Sequence, residues 1–203
     1  MDKKVEKSAG SLAPVGGLSL VRGADRPPLL DETIPAAFAR TGARHGARDG
    51  AVFVEHGLRW TYAELARQVD LLAAGLHRLG LRKGDRVGIW SPNRPEWVLT
   101  QFATARLGLI MVNINPAYRL AELEYALVKV GCKALVTAAS FKTSDYIGML
   151  RTLAPEMANC APGDLKAKKF PDLRIVIRAG EEKTPGAYNF ADGFIKQIQF
   201  GYR

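Results

Sequence analysis

The sequence predicts an α/β protein: a mostly parallel, doubly wound sheet with helices packed on both faces. Three observations carry that expectation. Short apolar runs at 87–90, 109–112 and 134–136 alternate with longer amphipathic segments. These runs are apolar throughout instead of alternating with polar residues, as strands buried on both faces are. The right-handed crossover rule then makes strand, helix, strand, helix, strand a single βαβαβ unit.

Each element has a local reason. Ile34, Ala37, Phe38 and Thr41 share one helical face, Pro35 sits in the first turn where its missing N–H costs nothing, and Gly42 and Gly46 read as stop signals. Residues 51–55 and 58–60 are strand-like runs around His56-Gly57, the pattern of a tight hairpin. Thr61-Tyr62-Ala63-Glu64 is a capping box, and Leu65, Val69, Leu72, Leu76 and Leu79 follow as one stripe that Gly80 closes. After a Lys83-Gly84-Asp85 turn and the 87–90 strand, Asn93, Pro95 and Glu96 start a helix by capping, and Gly108 ends it. That helix is apolar almost all round, with Trp97, Val98, Leu99, Phe102 and Ala105, so it is expected to be covered on more than one side. A helix over 120–130 turns Leu120, Leu123, Leu127 and Val130 inward before Gly131. Residues 141–153 read as helix, 173–177 as a β-branched strand, and 154–171 and 179–193 as loops.

Composition sets the outer bounds. The 203 residues are 47% hydrophobic and 24% charged, the balance of a folded chain that needs no disulfide framework, and Cys132 and Cys160 do not form one. The longest apolar run, 107–112, is far short of the roughly 18 residues of a membrane span. Net charge is +9, spread as +2 over 1–30, +4 over 31–163 and +3 over 164–203. Only Lys166, Lys168 and Lys169 cluster, so a nucleic-acid partner is not expected; anionic small ligands, or solubility alone, fit the charge as well. Residues 1–30 carry Lys3, Lys4 and Lys7 beside Asp2 and Glu6, and Pro14, Gly16 and Gly17 break the apolar run a signal peptide requires. The expectation is a flexible arm over 1–30, a folded unit over 31–194 and a divergent tail over 195–203, in the cytoplasm.

Chemistry is sparse. Gly75 and Gly80 have phosphate-loop spacing, but Leu81 and Arg82 follow where Lys and Ser or Thr are required, and the segment ends a helix, where carbonyls repel phosphate. His45, His56, His77, Cys132 and Cys160 fall into no metal-ligand spacing. Neither cysteine has a neighbour to lower its pKa, and no Ser lies in a nucleophile elbow. Glu122 and Glu124 point in different directions on a helix. Trp60, Trp90 and Trp97 read as core. Pro92, Asn93, Asn115 and Pro116 follow consecutive strands, where open α/β sheets receive ligands or neighbouring domains; plain turn chemistry also accounts for them. No residue is assigned as catalytic, cofactor-binding or metal-binding.

Four linked segments resemble the N-terminal region of the AMP-forming acyl-CoA synthetases, members of the adenylate-forming ligases. They are Trp60-Thr-Tyr-Ala-Glu-Leu65, Gly80-Leu-Arg-Lys-Gly-Asp-Arg-Val-Gly88, Ser91-Pro-Asn-Arg-Pro-Glu-Trp97 and the run from Ala105 to Arg119. Phe170 to Ile177 is similar to a strand of the fatty-acid members, and the likeness extends over residues 25–194. The resemblance implies an incomplete N-terminal subdomain of a fatty-acyl-CoA ligase, an enzyme family that uses ATP, magnesium and coenzyme A to convert a carboxylate to an acyl-adenylate and then a thioester. The family's Ser/Thr/Gly-rich loop ending in Pro-Lys-Gly is expected just beyond Phe194, and Ile195-Lys-Gln-Ile-Gln-Phe-Gly-Tyr-Arg203 stands there instead. The chain alone is therefore expected to bind none of those cofactors and to be inactive, a truncated or frameshifted product. An alternative is a non-catalytic module that pairs with itself or a full-length synthetase through an open sheet edge.

Overall fold

A computed structural model describes residues 29–190 together with Gly17, Arg26 and Pro27. The tail over 195–203 and nearly all of the 1–30 arm lie outside the described residues. The chain divides into two units, Met1–Thr33 and Ile34–Arg203. In the first, Leu29 and Leu30 are exposed; the second holds every described helix and strand.

The first helix, α1 (Ile34–His45), runs straight through Gly42. A lone glycine costs a helix only about 1 kcal/mol, and the stacking of Phe38 on Phe102, ring centroids 4.4 Å apart, holds α1 against the body. β1 (Asp49–Phe53) pairs antiparallel with β2 (Leu58–Thr61). The link is a 3-10 turn over Val54–His56 with Gly57 left-handed, longer than the two-residue turn expected.

The capping box at the start of α2 (Tyr62–Arg78) forms as read. The Glu64 N–H donates to Thr61 Oγ1 at 3.2 Å, and the Thr61 N–H donates to Glu64 Oε2 at 2.8 Å. That backbone bond, with the Thr61 hydroxyl, holds the Glu64 carboxyl below the usual carboxylate range. Leu65, Val69, Leu72 and Leu76 are buried as a stripe.

β3 (Arg86–Trp90) follows, then α3 (Pro95–Leu107). Asn93 does not cap α3: Arg94 holds the N-cap position without a side-chain bond to the backbone, its guanidinium turning to the Glu96 carboxylate at 3.1 Å. Pro95 at the first turn removes one of the donors a cap would have satisfied. α3 is covered as expected, against both α1 and α2 and against the sheet. Left-handed Gly108 and Gly131 end α3 and α4 (Leu120–Val130), which flank β4 (Ile110–Ile114). Leu123 and Leu127 face inward, but Leu120, at the exposed first turn, is 37% accessible and does not.

β5 (Cys132–Thr137) is followed by a two-residue hairpin, β6 (Ser140–Phe141) with β7 (Ser144–Asp145), where helix was expected. Lys142 turns at φ +51°, outside the helical region, and the Asp145 carboxylate accepts from the Gly148 N–H at 2.9 Å. That cap sets the start of α5 (Tyr146–Leu153) five residues later than periodicity alone suggests. The two expected loops are also more ordered. A 3-10 helix (Pro155–Asn159) and the buried side chains of Leu165, Ala167, Phe170 and Leu173 anchor the first. The second, after β8 (Ile175–Arg178), carries β9 (Tyr188–Asn189).

β4, β3, β5, β8 and β9 form one sheet in that order, all parallel. Side chains alternate between its two faces. Val87, Ile89, Ala134, Val136, Ile175 and Ile177 pack under α1, α2 and α3, while Trp90, Leu135 and Val176 pack under α4, α5 and the 155–173 segment. Gly88 sits on the second face, where an added Cβ would meet Ile114 Cδ1 at 3.0 Å and Leu135 Cδ1 at 3.1 Å.

Candidate functional site

The strand order creates a switch point. From β3 the chain moves outward to β4 through α3 on one face, then returns past β3 to β5 through α4 on the other. Crevices in such sheets open beyond the carboxyl ends of the strands at that reversal. Here the edge is built by Ser91–Arg94 after β3, Asn115–Arg119 after β4, 138–145 after β5 and 179–184 after β8.

Trp90 and Tyr146 organise the edge. Both are fully buried, and their rings stack with centroids 3.6 Å apart at 11°. Trp90 Nε1 donates to the Asn115 carbonyl at 3.2 Å, and the Tyr146 hydroxyl donates to the Pro116 carbonyl at 2.6 Å. The turn after β4 is thus clamped from beneath by two aromatic donors. The Ala117 N–H donates to Asn115 Oδ1 at 2.9 Å, and Arg119 Nη1 reaches Ser144 Oγ at 2.7 Å, tying this turn to the hairpin after β5. Asn115 and Pro116 accordingly act as turn residues, and so does Ser91, whose hydroxyl donates to the Pro92 carbonyl. Trp90 is core, as its position suggested; Trp60 and Trp97 are half-buried against the other face.

Among the described residues no acid–base pair or activated nucleophile converges on this edge. His45, His56 and His77 are exposed at the end of α1, in the 3-10 turn and near the end of α2. Burial pushes the Cys132 thiol up to about 11 and raises that of Cys160 as well, so neither is an activated thiolate. Among the described residues no group of three His, Cys, Asp or Glu is placed to hold a metal ion. No glycine-rich run precedes a described helix, so these residues do not fit an ATP–magnesium cradle. At the β5 and β8 end of this edge a cleft of about 350 Å³ opens, lined by Arg151, Arg178, Lys183, Asp145 and Glu182 among others. Sequence reading missed it, because Arg178 looks like an ordinary strand end until β9 and the 179–187 loop fold over it.

An open α/β sheet with its loops gathered at one edge defines a class of ligand-binding domains, and comparison with known proteins narrows it. The chain belongs to the AMP-binding enzyme family, whose match extends over residues 38–198. It is 48% identical over 164 residues to the mitochondrial medium-chain acyl-CoA ligase of Macaca fascicularis and 46% identical over 164 residues to that of Homo sapiens. Those alignments take in 81% of this chain but 26% and 27% of the relatives, so the chain spans about a quarter of their length. Acetoacetyl-CoA synthetase from Streptomyces lividans superposes with a TM-score of 0.66 at 25% identity, over 80% of this chain and 25% of that one. An anthranilate CoA ligase superposes with a TM-score of 0.68 at 19% identity, over 82% and 28%, a likeness of fold alone. The resemblance read from the four motifs is therefore correct: the chain is homologous to the N-terminal part of acyl-CoA ligases. No described helix is long and apolar enough to cross a membrane.

Two buried acids, Cys132 at the start of β5 and Tyr146 beneath the carboxyl edge, predict an alkaline limit. Cys132 rises from an ordinary value of 9.0 to about 11 and Tyr146 from 10.0 to about 12, both by burial. The folded chain holds these protons more tightly than the unfolded one, so their stabilisation is full below the unfolded values and is lost as pH climbs through the folded ones. Urea midpoints should fall steadily between pH 9 and about 11 for the parent chain and less steeply for Cys132→Ala; equal slopes would contradict the assignment.

Proposed function

We infer that these residues are the N-terminal α/β portion of an ATP-dependent, AMP-forming ligase acting on fatty acids of medium or long chain, and that the 203 residues by themselves do not turn over. In that reaction a carboxylate oxygen attacks the α-phosphorus of ATP, releasing pyrophosphate, and the coenzyme A thiol then attacks the acyl carbon, releasing AMP. The identity of nearly half over 164 residues to medium-chain acyl-CoA ligases carries the reading. Inactivity rests on the chemistry of the site. Adenylyl transfer needs donors and cations fixed where negative charge develops, each worth roughly 3 to 4 kcal/mol, and no Ser/Thr/Gly-rich segment ending in Pro-Lys-Gly occurs in the sequence.

Pure chain given octanoate, ATP, magnesium and coenzyme A should release no AMP. Residues 34–190, grafted in place of the equivalent segment of the human relative, should preserve thioester formation. AMP release that tracks the chain would overturn the inactivity, and a soluble, cooperatively folded but inert chimera would overturn the ligase reading.

One observation favours a second reading, an interaction module that docks on another synthetase chain. Among the described residues β4 pairs only with β3, and Ile110 on that open edge is 50% exposed. Light scattering after size exclusion should show self-association that Ile110→Lys abolishes; a monomer at all concentrations, with no binding to a full-length synthetase, removes this reading.

A further inference from the structure

The cleft beyond β5 and β8 contains a charge that the rest of the fold leaves incompletely used. Arg178, the last residue of β8, is 7% exposed. Burying a guanidinium is costly unless its donors are satisfied. One side of the fork is satisfied: Nη1 donates to the Glu182 carbonyl, which also accepts from Asn189 Nδ2 at 2.9 Å, and Nη2 pairs with Glu182 Oε2. The Nε–H, in contrast, is buried without a partner among the described residues. Among the described residues, the one carboxylate on Arg178 is also poorly held, because the Glu182 side chain is 84% exposed and comes from a surface turn.

The surroundings favour a second anion. Arg151 and Lys183, both exposed at the rim, line the same cleft. Of the two acids there, Asp145 is engaged as the N-cap of α5 through the Gly148 N–H, and Glu182 is the carboxylate already on Arg178. The volume, about 350 Å³, lies within the roughly 300 to 1,000 Å³ of small-molecule sites. Planar guanidinium forks recognise carboxylate and phosphate by the same bidentate geometry.

We propose that this cleft is a binding site for a phosphate-class oxyanion, in which Glu182 is a built-in occupant that an external phosphate displaces from Arg178, while Arg151 and Lys183 complete the cradle. The proposal does not depend on the ligase reading. Its signature is a competition: removing the charge of Glu182 leaves Arg178 free for the incoming anion, and removing the rim cations weakens attraction without touching the buried residue.

The test is a phosphorus NMR titration of the 203-residue chain with inorganic phosphate and, separately, with AMP, which distinguishes the free anion from a nucleotide phosphate as the preferred source. Glu182→Gln should tighten binding by about tenfold and Arg151→Ala with Lys183→Ala should weaken it by about tenfold, the range of one charge-assisted hydrogen bond. All three substituted positions are exposed, so folding is retained and circular dichroism verifies it. Absence of binding for both probes in the parent and in Glu182→Gln, or affinities that none of the substitutions changes, would overturn the proposal.

Discussion

The structure depends on one constraint: a parallel sheet whose central strands are covered on both faces must send alternate side chains into two different cores. Val87 and Ile89 go one way and Trp90 the other; Ala134 and Val136 one way, Leu135 the other; Ile175 and Ile177 one way, Val176 the other. A one-residue slip in any pairing would exchange the two sets, putting Trp90 where Ile89 sits. The register of β3, β5 and β8 is therefore locked by volume on both sides, and Gly88 marks a tight place in the second core, where an added methyl group would press on the ends of Ile114 and Leu135.

Function inherits this lock. The segments that follow the strands are positioned only as well as the strand ends, and the Trp90–Tyr146 stack transmits the register directly to the turn after β4 through two hydrogen bonds. The carboxyl edge is thereby a rigid platform and not a set of free loops. It supplies position without an activated nucleophile: no histidine approaches it, the thiols are held neutral by burial, and Asp145 is committed to the cap of α5. The chain belongs to the AMP-binding enzyme family and spans about a quarter of its relatives' length.

Much of this was legible in the sequence wherever a local cause decides the local outcome. The capping box at Thr61, the stripe from Leu65 to Leu76 and the glycines after α3 and α4 are short-range signals, and each element appears where its signal lies. The failures share a different origin. Asn93 lost the cap because Arg94 found Glu96, and helix over 141–145 gave way to a hairpin closed by Asp145. Order within 154–173 comes from Leu165, Ala167 and Phe170 reaching the second core, a long-range event with no periodicity to announce it. The same holds for the candidate site. The loops at the strand ends could be read from the alternation of strands and helices, whereas the partner of Arg178, Glu182, and the Asn189 that shares its carbonyl come from a segment with no periodic signature.

Native-state hydrogen exchange measures the two-core constraint most directly. If both faces lock the sheet, the amides of β3, β5 and β8 exchange only through global unfolding and share one free energy, while those of β4 and β9 at the edges open locally and exchange sooner. Exchange from β3 and β5 as fast as from the edge strands, in a chain that still unfolds cooperatively, would contradict the account.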